Sequence, residues 1–356
     1  MNIVFVCDTL GSGGAERVIS VLSNEFVHRG HNVSIVLLSK EAEEPFYKLE
    51  SRISLVYLTK DVDSKHSFFK KAKLLKKSLV EKKPDVVISF LSYVCIYTWW
   101  ALKKTKIPYI VSERNDPNQR QIIKQKLLNM SFKKSCGCVF QTEDSAEWYK
   151  RIAKNKSIVI YNPVYLCTIP DEPRTTKNQI LYVGRFNEQK NLFMLIDAFN
   201  LFKKDNPQYT LKMYGDGQLK PAVIDYVDKR GPSNDVIITE SSNKWQEEEY
   251  DSKLFVLPSK YEGMPNVLAE ALCLGIPSVS TNCPIGGPKE LKKLFPETLV
   301  LSEGITAESF VKAMEEGIKT RRECAKIPDE LRIENIASQW LDFIYHAIGK
   351  ETKNVR

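Results

Sequence analysis

Ser259-Lys260-Tyr261-Glu262-Gly263-Met264-Pro265-Asn266-Val267-Leu268-Ala269-Glu270-Ala271-Leu272 follows an apolar run, Leu254 to Leu257, that ends at Pro258. The apolar run has the make-up of a buried strand, the segment around Glu262 and Gly263 that of a loop, and Val267, Leu268, Ala271 and Leu272 fall at helical spacing. The stretch therefore predicts a strand, a loop and a helix N-terminus. Pro265 suits the first helical turn because its missing N–H would have had no partner there, and Gly263 lets the backbone approach a ligand closely. The first N–H groups of such a helix are available to an anion. Glu270 lies four residues beyond Asn266, about 6 Å further along the axis at ~1.5 Å per residue and on nearly the same face. One helix start can thus hold a pyrophosphate while a carboxylate one turn on accepts hydrogen bonds from ribose hydroxyls.

Upstream, a strand at Ile180 to Val183 runs into Gly184-Arg185-Phe186-Asn187-Glu188-Gln189-Lys190-Asn191 and a helix from Leu192 to Phe202. A glycine after a strand, an arginine beside it and a lysine five residues on put two cations at a strand end, the place where open parallel sheets bind ligands. Solvated loop cations are the alternative. Leu211 to Tyr214, Val236 to Ile238 and Ser278 to Ser280 read as further strands. Glu240 to Lys253, acidic at Glu247, Glu248 and Glu249, fits no pattern.

Residues 1–165 repeat the strand-helix alternation. Ile3–Cys7, Val33–Leu38, Ile53–Leu58, Val86–Phe90, Tyr109–Ser112, Gly137–Gln141 and Ser157–Tyr161 read as strands, with helices such as Ala15–Arg29 and Phe68–Lys82 between them. Interleaved buried-type strands and helices imply an α/β doubly wound parallel sheet. Gly11-Ser12-Gly13-Gly14-Ala15-Glu16-Arg17 lacks the third glycine of a dinucleotide turn, Glu16 standing in its place, and no Gly-Lys-Ser/Thr makes it a P-loop. A glycine-lined helix start, able to touch a phosphate or sugar through backbone N–H groups, remains. Ser112-Glu113-Arg114-Asn115-Asp116-Pro117 sits at another strand end. Pro163, Pro170 and Pro173 mark a linker over Asn162 to Lys177.

At 356 residues, with 43% hydrophobic and 27% charged residues, the chain is expected to fold as two soluble globular domains. Val86 to Leu102, its longest uncharged run, is below the ~20 residues a membrane-spanning helix needs and reads as a buried strand followed by a buried helix. No secretory leader is apparent. The eight cysteines form no C-x-x-C pair, which suits core thiols in a reducing cytoplasm. Residues 1–165 hold 27 Lys and Arg against 16 Asp and Glu, and the remainder 25 against 28, so the net charge of +8 resides in the first half. From Lys65 to Lys83 eight lysines accompany one acid, Glu81, while Phe68, Phe69, Ala72, Leu75 and Leu79 keep helical spacing. This is a surface helix resting its apolar face on the sheet, or a patch (Lys70, Lys71, Lys73, Lys76, Lys77) for anionic headgroups. Nucleic acid is not expected, because no nucleic-acid-binding motif accompanies it.

Glu262 and Glu270, separated by seven residues, with Pro258-Ser259 before them, Gly-Met-Pro-Asn between them and Gly275-Ile276-Pro277 after, resemble the E-x7-E signature of family 4 retaining glycosyltransferases. Gly13-Gly14-Ala15-Glu16, Gly184-Arg185, Lys190-Asn191 and Gly286-Gly287 are similar to further family positions, and the resemblance spans nearly the whole chain. It implies the GT-B fold: two Rossmann-like domains facing a cleft, residues 1–165 for the acceptor and 166–333 for the nucleotide sugar, with a C-terminal helix (about 334–349) packing back on the first. It implies transfer of a hexose or N-acetylhexosamine from a nucleotide sugar, with UDP the expected nucleotide, to a lipid-linked glycan, the anionic inner face of the cell membrane being the partner surface. The residues it implies at the reaction are Arg185, Lys190 and Glu262. Gly13, Gly14, Gly184, Gly263, Met264, Pro265, Asn266, Val267, Leu268 and Glu270 would bind the donor, and Glu16, Glu113, Arg114 and Asn115 contact sugar or acceptor. No cofactor or metal is expected; Asp61-Val62-Asp63 is read as a loop and not as a metal motif. One departure stands out: Arg114 occupies the place of the family's usual histidine, and His28, His31, His66 and His346 offer no substitute. A nucleotide-sugar epimerase of the same fold and a non-catalytic glycan- or membrane-binding module are the competing readings.

Overall fold

A computed structural model describes residues 1–11, 13–39, 44–59, 67–114, 121–167, 176–231, 233–242 and 244–350. Asn115, the Asp61-Val62-Asp63 triplet, Lys65 and His66 lie outside the described residues. The chain divides into two compact units, Met1–Pro163 with Asp329–Arg356, and Val164–Pro328.

In the first unit the strands are Asn2–Cys7 (β1), Asn32–Leu37 (β2), Ser54–Tyr57 (β3), Val86–Phe90 (β4), Tyr109–Ser112 (β5), Gly137–Phe140 (β6) and Ser157–Val159 (β7). Among the described residues they form one seven-stranded sheet in the order β3-β2-β1-β4-β5-β6-β7, every neighbouring pair parallel. Side chains alternate across a strand. Ile3, Phe5 and Cys7 therefore enter one core, with Val18, Leu22 and Phe26 of Gly14–His28 (α1), whereas Val4 and Val6 enter the other. That second core is closed by Phe68–Lys82 (α2), Ser92–Leu102 (α3), Ile122–Lys134 (α4) and Glu143–Ala153 (α5), through Leu75, Val94, Leu128 and Tyr149. Burial on both faces is why these strands read as continuous apolar runs.

The second unit carries Lys177–Val183 (β8), Thr210–Tyr214 (β9), Val236–Thr239 (β10), Ser252–Leu257 (β11), Ser278–Thr281 (β12) and Leu299–Ser302 (β13). The described strands make a six-stranded parallel sheet ordered β10-β9-β8-β11-β12-β13. Its helices are Leu192–Lys203 (α6), Lys220–Arg230 (α7), Trp245–Glu249 (α8), Asn266–Cys273 (α9), Gly287–Leu294 (α10) and Ala307–Gly317 (α11). Each sheet has one point where the strand order reverses, between β1 and β4 and between β8 and β11. At such points the loops after the two strands part and leave a crevice.

Ile333–Ala347 (α12) belongs to the first unit. Its apolar stripe, Ile336, Trp340 and Ile344, is buried there, Trp340 stacking on Phe90 at 5.8 Å, and Arg29 of the first unit donates to the Glu334 carbonyl at 2.6 Å. Burying an aromatic of this size contributes about 3 kcal/mol.

Two expectations change. Residues 92–102 do form a helix, but it is not wholly buried: Val94, Cys95 and Ile96 are inside, while Tyr93 is exposed and Tyr97, Trp99 and Trp100 are half-buried. Phe68 and Phe69 of α2 pack on them, with Phe68 stacked 4.5 Å from Tyr97 and Phe69 5.6 Å from Trp100. Pro265 is not the first helical residue of α9 but its extended N-cap (φ −77°, ψ 105°), whose carbonyl accepts from Leu268 and Ala269.

Candidate active site

The second unit's crevice is built from the loops after β8 and β11. Gly184 leaves β8 with its N–H on the Tyr214 carbonyl at 3.0 Å, and the next residue, Arg185, is exposed. Tyr182 donates its hydroxyl to the Arg185 carbonyl at 3.0 Å. Burial, reinforced by Glu262, pushes that phenol well above its ordinary range, so it stays a donor. Asn187 then caps a single 3-10 turn, Glu188–Lys190, its Oδ1 accepting from the Lys190 N–H at 3.3 Å. Asn191 takes the left-handed conformation (φ 54°) before α6 begins, a conformation Asn tolerates better than most residues.

This turn aims Lys190 at the second loop. Its Nζ forms an ion pair with Glu262 Oε1, which also accepts from the Ser259 hydroxyl at 2.6 Å. The Lys190 and Glu262 side chains are only 13% and 9% exposed, so water screens this pair little. The loops are fastened twice more: Lys260 N–H donates to the Gln189 carbonyl, and Gln189 Nε2 to the Tyr261 carbonyl, both at 2.8 Å. From the other side, Glu262 N–H reaches the Pro284 carbonyl at 3.2 Å and Gly287 N–H the Glu262 carbonyl at 3.4 Å. Gly287 comes so close that a Cβ there would stand 1.4 Å from the Gly263 carbonyl oxygen. No side chain fits. Met264 and Pro265 then lead into α9, whose first residues are Asn266, Val267 and Leu268, so the positive end of its dipole stands at the end of the loop that carries Glu262.

The other predicted residues belong to the first unit. Gly13 is the N-cap of α1 and Glu16 its third residue, the position from which an acid reaches back in a capping box. The Glu16 carboxylate lies where a Gly13 Cβ would be, 2.1 Å from that point. Glu113 is buried and accepts from the Arg114 N–H at 2.8 Å. The Arg114 guanidinium lies 4.0 Å over the Phe90 ring and donates to Asn162 Oδ1 at 2.6 Å, where Gln141 also donates. Burial, opposed by Glu113 and Glu16, pushes Arg114 down to about 9, which leaves it charged at neutral pH. On α2, Lys70, Lys73 and Lys77 are exposed and Lys71 and Lys76 half-buried, with Lys71 Nζ 3.4 Å from the Ser39 hydroxyl.

Residues 169–332 match the family Glycosyl transferases group 1, and residues 12–166 match Glycosyltransferase Family 4. A Campylobacter jejuni protein, "GalNAc-alpha-(1->4)-GalNAc-alpha-(1->3)-diNAcBac-PP-undecaprenol alpha-1,4-N-acetyl-D-galactosaminyltransferase", is 32% identical over 305 residues, covering 82% of each chain. The chain belongs to glycosyltransferase family 4. Two solved structures share its GT-B fold. The lipopolysaccharide outer core galactosyltransferase WaaB in apo form has a TM-score of 0.73 at 21% identity, covering 97% of this chain and 99% of that one. Anabaena HepE in complex with UDP and glucose has a TM-score of 0.79 at 16% identity, covering 96% and 98%.

In this glycosyltransferase, one residue at the site carries no sequence signal. Glu270, buried one turn into α9, accepts at 2.9 Å from Nε2 of Gln246, a residue of α8. Residues 240–253 fit no pattern because their glutamates divide: Glu240, Glu247 and Glu248 are exposed, whereas Glu249 is inside. Glu249 is buried and holds Lys177, Lys212, Gln179 and Tyr214. Burial works to raise its carboxyl, but hydrogen bonds from Lys212, Gln179 and Tyr214 prevail and hold it below the usual range. Among the described residues, no group of three or more His, Cys, Asp or Glu side chains gathers as a metal site would require. Nor is any described helix long and apolar enough to cross a membrane.

Proposed function

We propose that this glycosyltransferase transfers a hexose or N-acetylhexosamine, with retention of configuration, from a UDP-sugar to a lipid-linked glycan during assembly of a bacterial surface polysaccharide or glycan. The observation that carries the reading is the fastened pair of loops at the β8/β11 crevice, which presents Arg185, Lys190, Glu262 and the start of α9 together. The leaving group of a nucleotide sugar is a diphosphate. Arg185, the remaining donors of Lys190 and the α9 N-terminus supply positive potential where its charge develops, the work a divalent cation does in other sites. Glu262 holds Lys190 and takes donor-sugar hydroxyls; Glu270 takes those of the ribose. The acceptor oxygen attacks from the face the diphosphate leaves, and the departing phosphate oxygen accepts the acceptor proton. The Campylobacter relative, named for a polyprenyl-linked substrate, supports a lipid-linked acceptor.

A lipid-linked acceptor would bring the enzyme to an anionic membrane surface, and the surface of the first unit suits that role. Lys70, Lys73, Lys76 and Lys77 on α2 flank the Phe68, Phe69 and Trp100 cluster, and Lys103 Nζ sits over the Trp100 ring. Aromatic rings and lysines in this arrangement suit the headgroup region, each cation contributing about 1 kcal/mol.

Incubation with a panel of UDP-sugars and lipid-linked glycans tests the activity. Sugar transfer with UDP release is expected from one pairing, and Lys190→Ala and Glu270→Ala each abolish most of it. Unchanged turnover in both variants overturns the assignment. Interconversion of the donor without an acceptor would identify an epimerase. Anionic vesicles at low salt test the surface: binding that survives Lys70, Lys71, Lys76 and Lys77→Glu together removes the membrane from the proposal.

A further inference from the structure

We infer that Gln246 is a positioning residue for nucleotide recognition, fixing the Glu270 carboxylate and joining it to the backbone at Tyr165–Cys167; this rests on the reading of Glu270 as the ribose acceptor. Gln246 is 5% exposed and its carboxamide is fully engaged. Nε2 donates to Glu270 Oε2 at 2.9 Å and to the Tyr165 carbonyl at 3.3 Å, and Oε1 accepts from the Cys167 N–H at 2.9 Å. Two acceptors face the nitrogen and one donor faces the oxygen, so the amide has one workable orientation; turned over, it would set its oxygen against a carboxylate.

Gln246 cannot follow a moving partner, because α8 is anchored on both sides. Trp245 packs 6.2 Å from Phe255, and Glu249 is held by Lys177 and Lys212. Glu270 is thereby tied to a fixed point on a neighbouring element as well as to its own helix. The choice of a neutral donor matters. A lysine or arginine at 246 would pair with Glu270 and weaken it as an acceptor for hydroxyls, and a glutamate would repel it. The amide orients the carboxylate and leaves its charge in place. Through Oε1 the same side chain secures the first residues of the second unit.

Gln246→Glu keeps the size and removes the donor. The full chain is titrated with UDP and with 2′,3′-dideoxy-UDP, and donor kinetics are followed from pH 6 to pH 8.5. The wild type is expected to prefer UDP. In Gln246→Glu the donor KM rises at least about tenfold at pH 8 while kcat stays within about threefold, and the UDP over dideoxy-UDP preference falls toward unity. The defect shrinks toward pH 6, because two facing carboxylates raise one another's affinity for a proton, and the shared proton restores the hydrogen bond. Should that variant fail to fold, Gln246→Asn, too short to reach Glu270, is expected to lose the ribose preference at every pH. Equal weakening of both nucleotides with no pH dependence would make Gln246 merely structural and overturn the inference, as would an unchanged preference. A wild type indifferent to the ribose hydroxyls would instead overturn the role of Glu270 on which the inference stands.

Discussion

The two sheets have the same kind of switch point, yet their strand-end loops offer opposite chemistry. After β8 and β11 an exposed arginine, a lysine and a helix start stand together, and the acids among them, Glu262 and Glu270, are held by Lys190 and Gln246. After β1 and β5 the helix start is covered by Glu16, Glu113 is buried, and Arg114 is enclosed between Phe90 and Asn162. Topology fixes where a ligand sits; the side chains at the first few loop positions decide its charge.

The sharpest way to break this contrast is to remove the cation. Lys190→Ala is expected to lower sugar transfer by about 10²–10³-fold, the scale on which one donor to a developing negative charge acts, read from UDP release. The corresponding Arg114→Ala should leave donor KM unchanged; an equal rise in both would erase the distinction between the units. Next in size is the anchor of α8. Glu249→Gln is expected to lose about 3 kcal/mol in urea melts at pH 7, because Lys212 loses its buried partner while Lys177 keeps only Asp251. Glu249 is held below the usual carboxylate range, so its contribution is complete above about pH 4.3 and disappears as pH falls through the lowered folded value. The urea midpoints of variant and wild type should converge as pH falls below the lowered folded value. Arg114→Lys is smaller, about 1–2 kcal/mol of stability, since an ammonium reproduces neither the stack on Phe90 nor the planar fork. Gly13→Ala is smallest: only the end of the Glu16 side chain must move, and a shift below about 1 kcal/mol is expected.

Much of the fold was legible because buried parallel strands announce themselves as apolar runs; Val86–Phe90 and Tyr109–Ser112 are strands over the same residues that the composition suggests. The loop residues of the second unit were legible too, since Lys190 and Glu262 lie within short segments whose spacing survives in one dimension. Gln246 was not. It meets Glu270 across 24 residues of chain, and a single glutamine between charged neighbours has no periodicity to reveal it. Residues 92–102 misled for a different reason. A helix apolar all round has no polar stripe to mark its outer face, so burial was the expectation, and only the packing of Phe68 and Phe69 on its aromatics shows which side is outward. The stacking of Arg114 on Phe90 likewise has no mark in the sequence, because the two residues stand at the ends of different strands.

The bond from the Lys260 N–H to the Gln189 carbonyl involves no side chain. Its presence makes the crevice tolerant of sequence drift at 260, where any residue but proline can form it, whereas at 189 the side chain is also engaged, on the Tyr261 carbonyl. Randomising codon 260 should therefore yield many active clones with altered surface charge, a practical place to tune salt response without rebuilding the loops.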